Sequence, residues 1–91
     1  MAEPVKLLLI EDDLPLAELT KDFLESNGFV VEHSADGFTG LQACKDSMFD
    51  LIVCDIMLPD ISGFKLIDKI RATTKTPVLF LTAVSKDDDQ I

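Results

Sequence analysis

Val5-Lys6-Leu7-Leu8-Leu9-Ile10-Glu11-Asp12-Asp13 is the stretch on which the fold turns. An apolar run interrupted only by Lys6 stops abruptly at three acids. Such a near-continuous run suits a strand covered on both faces, as in a parallel sheet. Three more apolar runs follow, at residues 29–31, 51–54 and 78–81. Each gap between runs holds residues at helical spacing and is long enough for a crossover between parallel strands. The chain therefore reads β-α-β-α-β-α-β, an α/β fold.

Working outward, the first crossover is the clearest helix. Asp13 can cap it, Pro15 suits its first turn and Gly28 follows its end. Leu16, Leu19, Phe23 and Leu24 are expected to face inward, with Glu18, Lys21, Asp22 and Glu25 in water. The second crossover, residues 36–46, is weakened by Gly37 and Gly40. The third, residues 62–71, carries Phe64, Ile67 and Ile70 at inward spacing. Beyond Leu81, Ser85 reads as the cap of another helix with Asp87, Asp88 and Asp89 in its first turn. The second apolar run differs from the others, alternating Phe29, Val31 and His33 against Val30, Glu32 and Ser34, which suits an edge strand. The sheet order 2-1-3-4 satisfies this pattern. Its switch point falls between strands 1 and 3, and ligands of open α/β sheets bind at the carboxyl ends of strands beside such a point.

Composition narrows the function. The 91 residues carry 8 Lys and Arg against 17 Asp and Glu, a net charge of −9, with 47% hydrophobic residues. That predicts one domain with a real core rather than an acidic disordered tail. The negative charge argues against direct nucleic-acid binding. Cys44 and Cys54 make no disulfide framework, there is no apolar run approaching the roughly 18 residues of a membrane span, and the amino terminus lacks a signal-peptide pattern. A soluble cytoplasmic protein is expected.

The chemistry sits at the strand ends. Strand 1 ends in Glu11-Asp12-Asp13, strand 3 in Asp55 and strand 4 in Thr82. With strands 1 and 3 about 4.8 Å apart, three or four carboxylates converge in one crevice. Like charges that close call for a cation, and hard carboxylate oxygens select Mg²⁺ or a similar ion. Asp55, held at a strand end, could then act as a nucleophile towards phosphorus, with Thr82 placed to hydrogen-bond the transferred group. Asp13 alone reads more readily as a helix cap than as a ligand. Cys54, Cys44 and His33 read as structural residues, and Asp87-Asp88-Asp89 as a solvated first turn.

Taken in order, Leu7-Leu8-Leu9-Ile10-Glu11-Asp12-Asp13, Asp50-Leu51-Ile52-Val53-Cys54-Asp55-Ile56-Met57-Leu58-Pro59, Gly63 and Pro77-Val78-Leu79-Phe80-Leu81-Thr82-Ala83 resemble the receiver domains of two-component response regulators. The resemblance covers essentially the whole chain and is strongest to the subfamily with a winged-helix output domain. It implies a flavodoxin-like sheet of the same order, so the two readings of the topology are not independent. It implies that Asp55 is the phosphoacceptor, that Glu11, Asp12 and Asp55 hold Mg²⁺ with the backbone carbonyl of Met57, and that Thr82 is the switch hydroxyl. Ala83 matches the small residue that leaves room for the phosphoryl group. A sensor histidine kinase is the implied partner and control of transcription the implied output.

Against that pattern, the family's fifth strand with its Lys, its aromatic switch residue and its fifth helix have no counterpart before Ile91, and Lys86 stands in the wrong place to substitute. The expectation is a receiver, residues 1–91, that is incomplete at its carboxyl end and is not an enzyme beyond its own phosphorylation. Strand 4 would then be an exposed edge through which copies could associate. The alternative is a fragment that binds or dimerises but cannot switch. An aspartate-nucleophile phosphatase would want an Asp-x-Asp pair around the nucleophile, and a flavin protein a Ser/Thr/Gly-rich first loop. Neither pattern is present.

Overall fold

The computed structural model describes residues 3–81. Their order is β1 (Lys6–Ile10), α1 (Leu14–Ser26), β2 (Val30–Ser34), α2 (Gly37–Asp46), β3 (Leu51–Asp55), α3 (Gly63–Ile70) and β4 (Val78–Leu81). All neighbouring strands are parallel and the sheet order is β2-β1-β3-β4, the flavodoxin-like order read from the strand patterns. The expected helix at Ser85 lies outside the described residues. No helix among the described residues is long and apolar enough to cross a membrane.

Period-2 alternation in the strands divides the apolar side chains between two faces. On one face Leu8, Ile10, Ile52 and Cys54 pack with Ala43 and Cys44 of α2 and with Leu66, Ile67 and Ile70 of α3. On the other, Leu7, Leu9, Val31 and Val53 pack with Ala17 of α1, joined by half-buried Leu24. Burial of β1 and β3 on both faces explains their near-continuous apolar sequences. Among the described residues strand β2 pairs only with β1, and it exposes Val30 and Glu32, as its alternating sequence predicts, although Ser34 is buried.

Local capping sets the helix starts. The side chains of Asp13, Asp36 and Ser62 accept from the backbone N–H groups of Leu16, Thr39 and Lys65 and so satisfy donors that each first turn leaves open. Gly40 lets α2 approach the sheet. A Cβ there would stand 2.7 Å from Ile10 Cδ1, closer than packed carbon atoms tolerate.

Two expectations about helix faces are corrected. On α1, Leu16, Leu19 and Phe23 are exposed, and Ala17 is the residue driven into the sheet. The apolar arc of this helix is wider than the surface it covers. Successive residues turn by about 100°, so once Ala17 and Leu24 face the sheet the other three are turned about 90–150° away from it. On α3, Phe64 is exposed while Leu66 is fully buried. Phe64 instead lies against Phe80 of β4, with ring centroids 4.8 Å apart in a tilted arrangement.

Candidate acidic site at the switch point

The carboxyl ends of β1 and β3 are level because Ile10 pairs with Cys54 in the parallel register. The next residue on each strand is therefore an acid, Glu11 beside Asp55. Both are buried, at 2% exposure, whereas Asp12 is exposed. One oxygen from each of Glu11, Asp12 and Asp55 lies within 4.8 Å of the other two. The fourth acid of the sequence cluster, Asp13, is diverted: its Oδ1 accepts from Leu16 N–H at 3.1 Å as the cap of α1.

Each acid is held by its own strand end. The Glu11 N–H donates to the Ser34 carbonyl at 3.0 Å, continuing the ladder past the end of β1. Glu11 Oε2 accepts from the Asp13 N–H at 3.0 Å. The Met57 N–H donates to Asp55 Oδ1 at 3.2 Å, which sets the rotation of that carboxylate. After Asp55 the chain makes a tight loop, closed by the Gly63 N–H donating to the Ile56 carbonyl at 2.7 Å and by a bridge between Met57 and Ser62. Only glycine fits at 63, since a Cβ would run into the Asp55 carbonyl and stand 2.9 Å from Ile56 Cα. The tip of the loop is anchored by Asp60, whose carboxylate accepts from the N–H groups of Gly37 at 2.9 Å and Phe38 at 3.0 Å. Desolvation opposes ionisation of Asp60, but the backbone donors of Gly37, Phe38, Asp60 and Ile61 together outweigh it and hold the carboxyl below its usual range.

Cys54, on the opposite side of the strand from Asp55, is fully buried, and its S–H donates to the Asp55 carbonyl at 3.2 Å. Burial pushes its thiol up to about 12, helped by the charges of Asp55, Cys44 and Glu11. It belongs to the core, as the sequence predicts. His33 is another matter. Its Nε2 lies 2.7 Å from the Glu11 carbonyl, at the edge of the acidic cluster. From the sequence this residue reads more readily as structural than functional, although its place near the carboxyl end of the strand next to β1 is a usable signal. Thr82 lies outside the described residues, directly beyond Leu81, which pairs with Asp55. A cavity of about 240 Å³ lies elsewhere, lined by residues such as Cys44, Phe49, Thr74 and Thr76, and contains none of these acids.

The donor set is chemically selective. Three carboxylates, two of them buried, repel one another unless a cation stands between them. Oxygen ligands without imidazole or thiolate suit Mg²⁺. Comparison with known sequences gives this arrangement a family. The model described as the response regulator receiver domain matches residues 7–91. The chain belongs to this family. Among curated relatives, regulatory protein VanRc of Enterococcus gallinarum is 41% identical over 86 residues, covering 94% of this chain and 37% of that protein. The transcriptional regulatory protein YclJ of Bacillus subtilis is 38% identical over 87 residues, covering 96% of this chain and 38% of its own. The receiver thus spans little more than a third of the length of these relatives.

Solved structures agree. The receiver domain of the Francisella response regulator 1452 superposes with a TM-score of 0.84 at 30% identity, over 93% of this chain and 71% of that one. The response regulator TrrA of Thermotoga maritima, in complex with Mg²⁺ and BeF, superposes with a TM-score of 0.82 at 27% identity, over 96% and 76%. Receivers are regulatory domains of two-component systems, phosphorylated by sensor histidine kinases and binding Mg²⁺ in an acidic pocket. The Glu11, Asp12 and Asp55 cluster has the composition such a pocket needs.

Proposed function

We propose that this receiver accepts a phosphoryl group on Asp55 from a histidine kinase, with Mg²⁺ held by Glu11, Asp12, Asp55 and the Met57 carbonyl. The observation that carries the reading is the convergence of three carboxylates, two of them buried, within 4.8 Å at the switch point between β1 and β3. A carboxylate oxygen of Asp55 attacks phosphorus as the P–N bond to the kinase imidazole breaks. The bonding pair leaves with the imidazole nitrogen, and an aspartyl phosphate remains. Bound Mg²⁺ supplies positive charge for the carboxylates and the phosphoryl oxygens.

This chain's own residues do the positioning. The Met57 N–H orients the nucleophile through Oδ1, and Gly63 lets the loop close tightly behind it. The Asp13 N–H holds Glu11, while the Asp13 side chain is occupied in capping α1. Thr82 hydrogen-bonds the transferred group in this reading, on the strength of the family resemblance.

The curated relatives' names include transcriptional regulators, and we extend that output, with a cytoplasmic location, to the whole protein of which residues 1–91 form the receiver. The chain itself is regulatory rather than enzymatic and makes no direct contact with nucleic acid. Among the described residues β4 pairs only with β3 and leaves Leu79 exposed, so the isolated 91-residue chain is expected to associate through that edge. Sedimentation at increasing concentration tests this, and a monomer throughout rejects it. The main test is intact-mass analysis after incubation with acetyl phosphate and Mg²⁺. One added phosphoryl group that is lost in Asp55→Asn supports the assignment. Labelling that survives in Asp55→Asn overturns it, and an unlabelled wild type favours a module that binds without switching.

A further inference from the structure

We propose that His33 is a positioning residue for the acidic site, acting through the backbone of Glu11. The proposal rests on the reading of Glu11, Asp12 and Asp55 as the Mg²⁺ pocket and adds a residue from a strand that contributes no acid to it. His33 pairs with Leu9 in the β1–β2 register. Its imidazole reaches along the strands to place Nε2 2.7 Å from the Glu11 carbonyl oxygen. A carbonyl can only accept, so Nε2 carries the proton and donates. The contact sits where the β1–β2 ladder ends. Val30 N–H donates to the Val5 carbonyl and Glu11 N–H to the Ser34 carbonyl. The following rung would bring a β2 N–H to the Glu11 carbonyl, but β2 ends at Ser34 and the chain turns towards α2. The His33 ring N–H stands at that rung.

The bond fixes the peptide plane between Glu11 and Asp12. That plane decides where the exposed Asp12 carboxylate points, and the Glu11 side chain is tied at the same time by the Asp13 N–H. Three mutually repelling carboxylates drift apart when no cation is bound, unless the backbone beneath them is held. His33 supplies that hold from the β2 side.

Two measurements on the 91-residue protein test the proposal. In metal-free protein, long-range ¹H–¹⁵N spectra should show a proton on Nε2 of His33, exchanging slowly with water. With Mg²⁺ alone as titrant, calorimetry should give His33→Phe a dissociation constant about 10-fold weaker than wild type, as loss of an outer-shell hydrogen bond typically does. His33→Gln, which keeps a donor at similar reach, should recover most of the affinity, and circular dichroism verifies that each variant is folded. A merely structural role would move melting temperature without this split between Phe and Gln. Affinity in folded His33→Phe equal to wild type overturns the proposal, as does an imidazole whose Nε2 carries no proton. If wild type binds no Mg²⁺, or Asp55→Asn binds it equally well, the acidic-site reading itself fails, and the Nε2 proton still decides whether His33 holds Glu11.

Discussion

Replacing Asp12 by Asn removes one of three negative charges that stand within 4.8 Å of one another. At that separation a pair of unit charges repels by about 3.5 kcal/mol at an effective dielectric near 20, and by about 0.9 kcal/mol in bulk water. Asp12 is exposed while its two neighbours are buried, so its repulsions lie nearer the lower limit. Metal-free Asp12→Asn is therefore expected to be more stable than wild type by about 1–2 kcal/mol. In a domain of this size each kcal/mol raises the melting temperature by about 4–8 °C. Mg²⁺ should reverse the order. Wild type gains about 2.7 kcal/mol at a hundredfold excess over its dissociation constant, whereas the variant has lost a charged ligand and gains less. The chain has no Trp or Tyr, so helix circular dichroism during heating is the assay, first in EDTA and then across a Mg²⁺ series. Asp68→Asn, on the exposed face of α3, controls for general relief of the net charge of −9. A metal-free Asp12→Asn that melts at or below wild type would refute the idea that these carboxylates are held together against their repulsion.

Asp60→Ala should destabilise the protein by about 1 kcal/mol, the usual loss when a helix amino terminus loses its acceptor. Because Asp60 is held below its usual range in the folded protein, its contribution is present above the ordinary carboxylate range and is lost as pH falls through the depressed value. Urea midpoints of wild type and Asp60→Ala should stay separated from pH 7 to 5 and converge in stronger acid. Gly63→Ala pushes a Cβ into the Asp55 carbonyl and should cost about 1–3 kcal/mol, as overpacking does; an unchanged urea midpoint would contradict the tight loop. Cys54, buried and with its thiol pushed up to about 12, and Cys44, also buried, should both resist a disulfide reagent until urea unfolds the chain. Rapid modification of either in native protein would show that this face of the sheet opens.

Much of the fold is legible in the order of residues along the chain. The contrast between near-continuously apolar β1 and β3 and alternating β2 places the first two inside the sheet and the third at its edge, because a strand covered on both faces has no side that water can favour. Asp13 stands just before Leu14-Pro15, where a cap belongs, and it serves as one. Helix faces are less legible. Leu16, Leu19 and Phe23 look inward on any helical projection, yet they lie on a side of α1 that the sheet does not reach. Gly37 and Gly40 look like helix breakers, while both are buried where α2 meets Asp60, Ile61 and Ile10.

The candidate site divides in the same way. Order and residue type along the chain determine that acids end β1 and β3 and that those strands are neighbours, since periodicity and strand burial are properties of local sequence. Only the tertiary structure decides which acids meet. The Ile10–Cys54 register sets Glu11 beside Asp55, capping geometry removes Asp13 from the cluster, and the end of β2 brings His33 to the Glu11 carbonyl. These depend on register and on hydrogen bonds between residues far apart in sequence, and no local pattern encodes a partner 22 residues away.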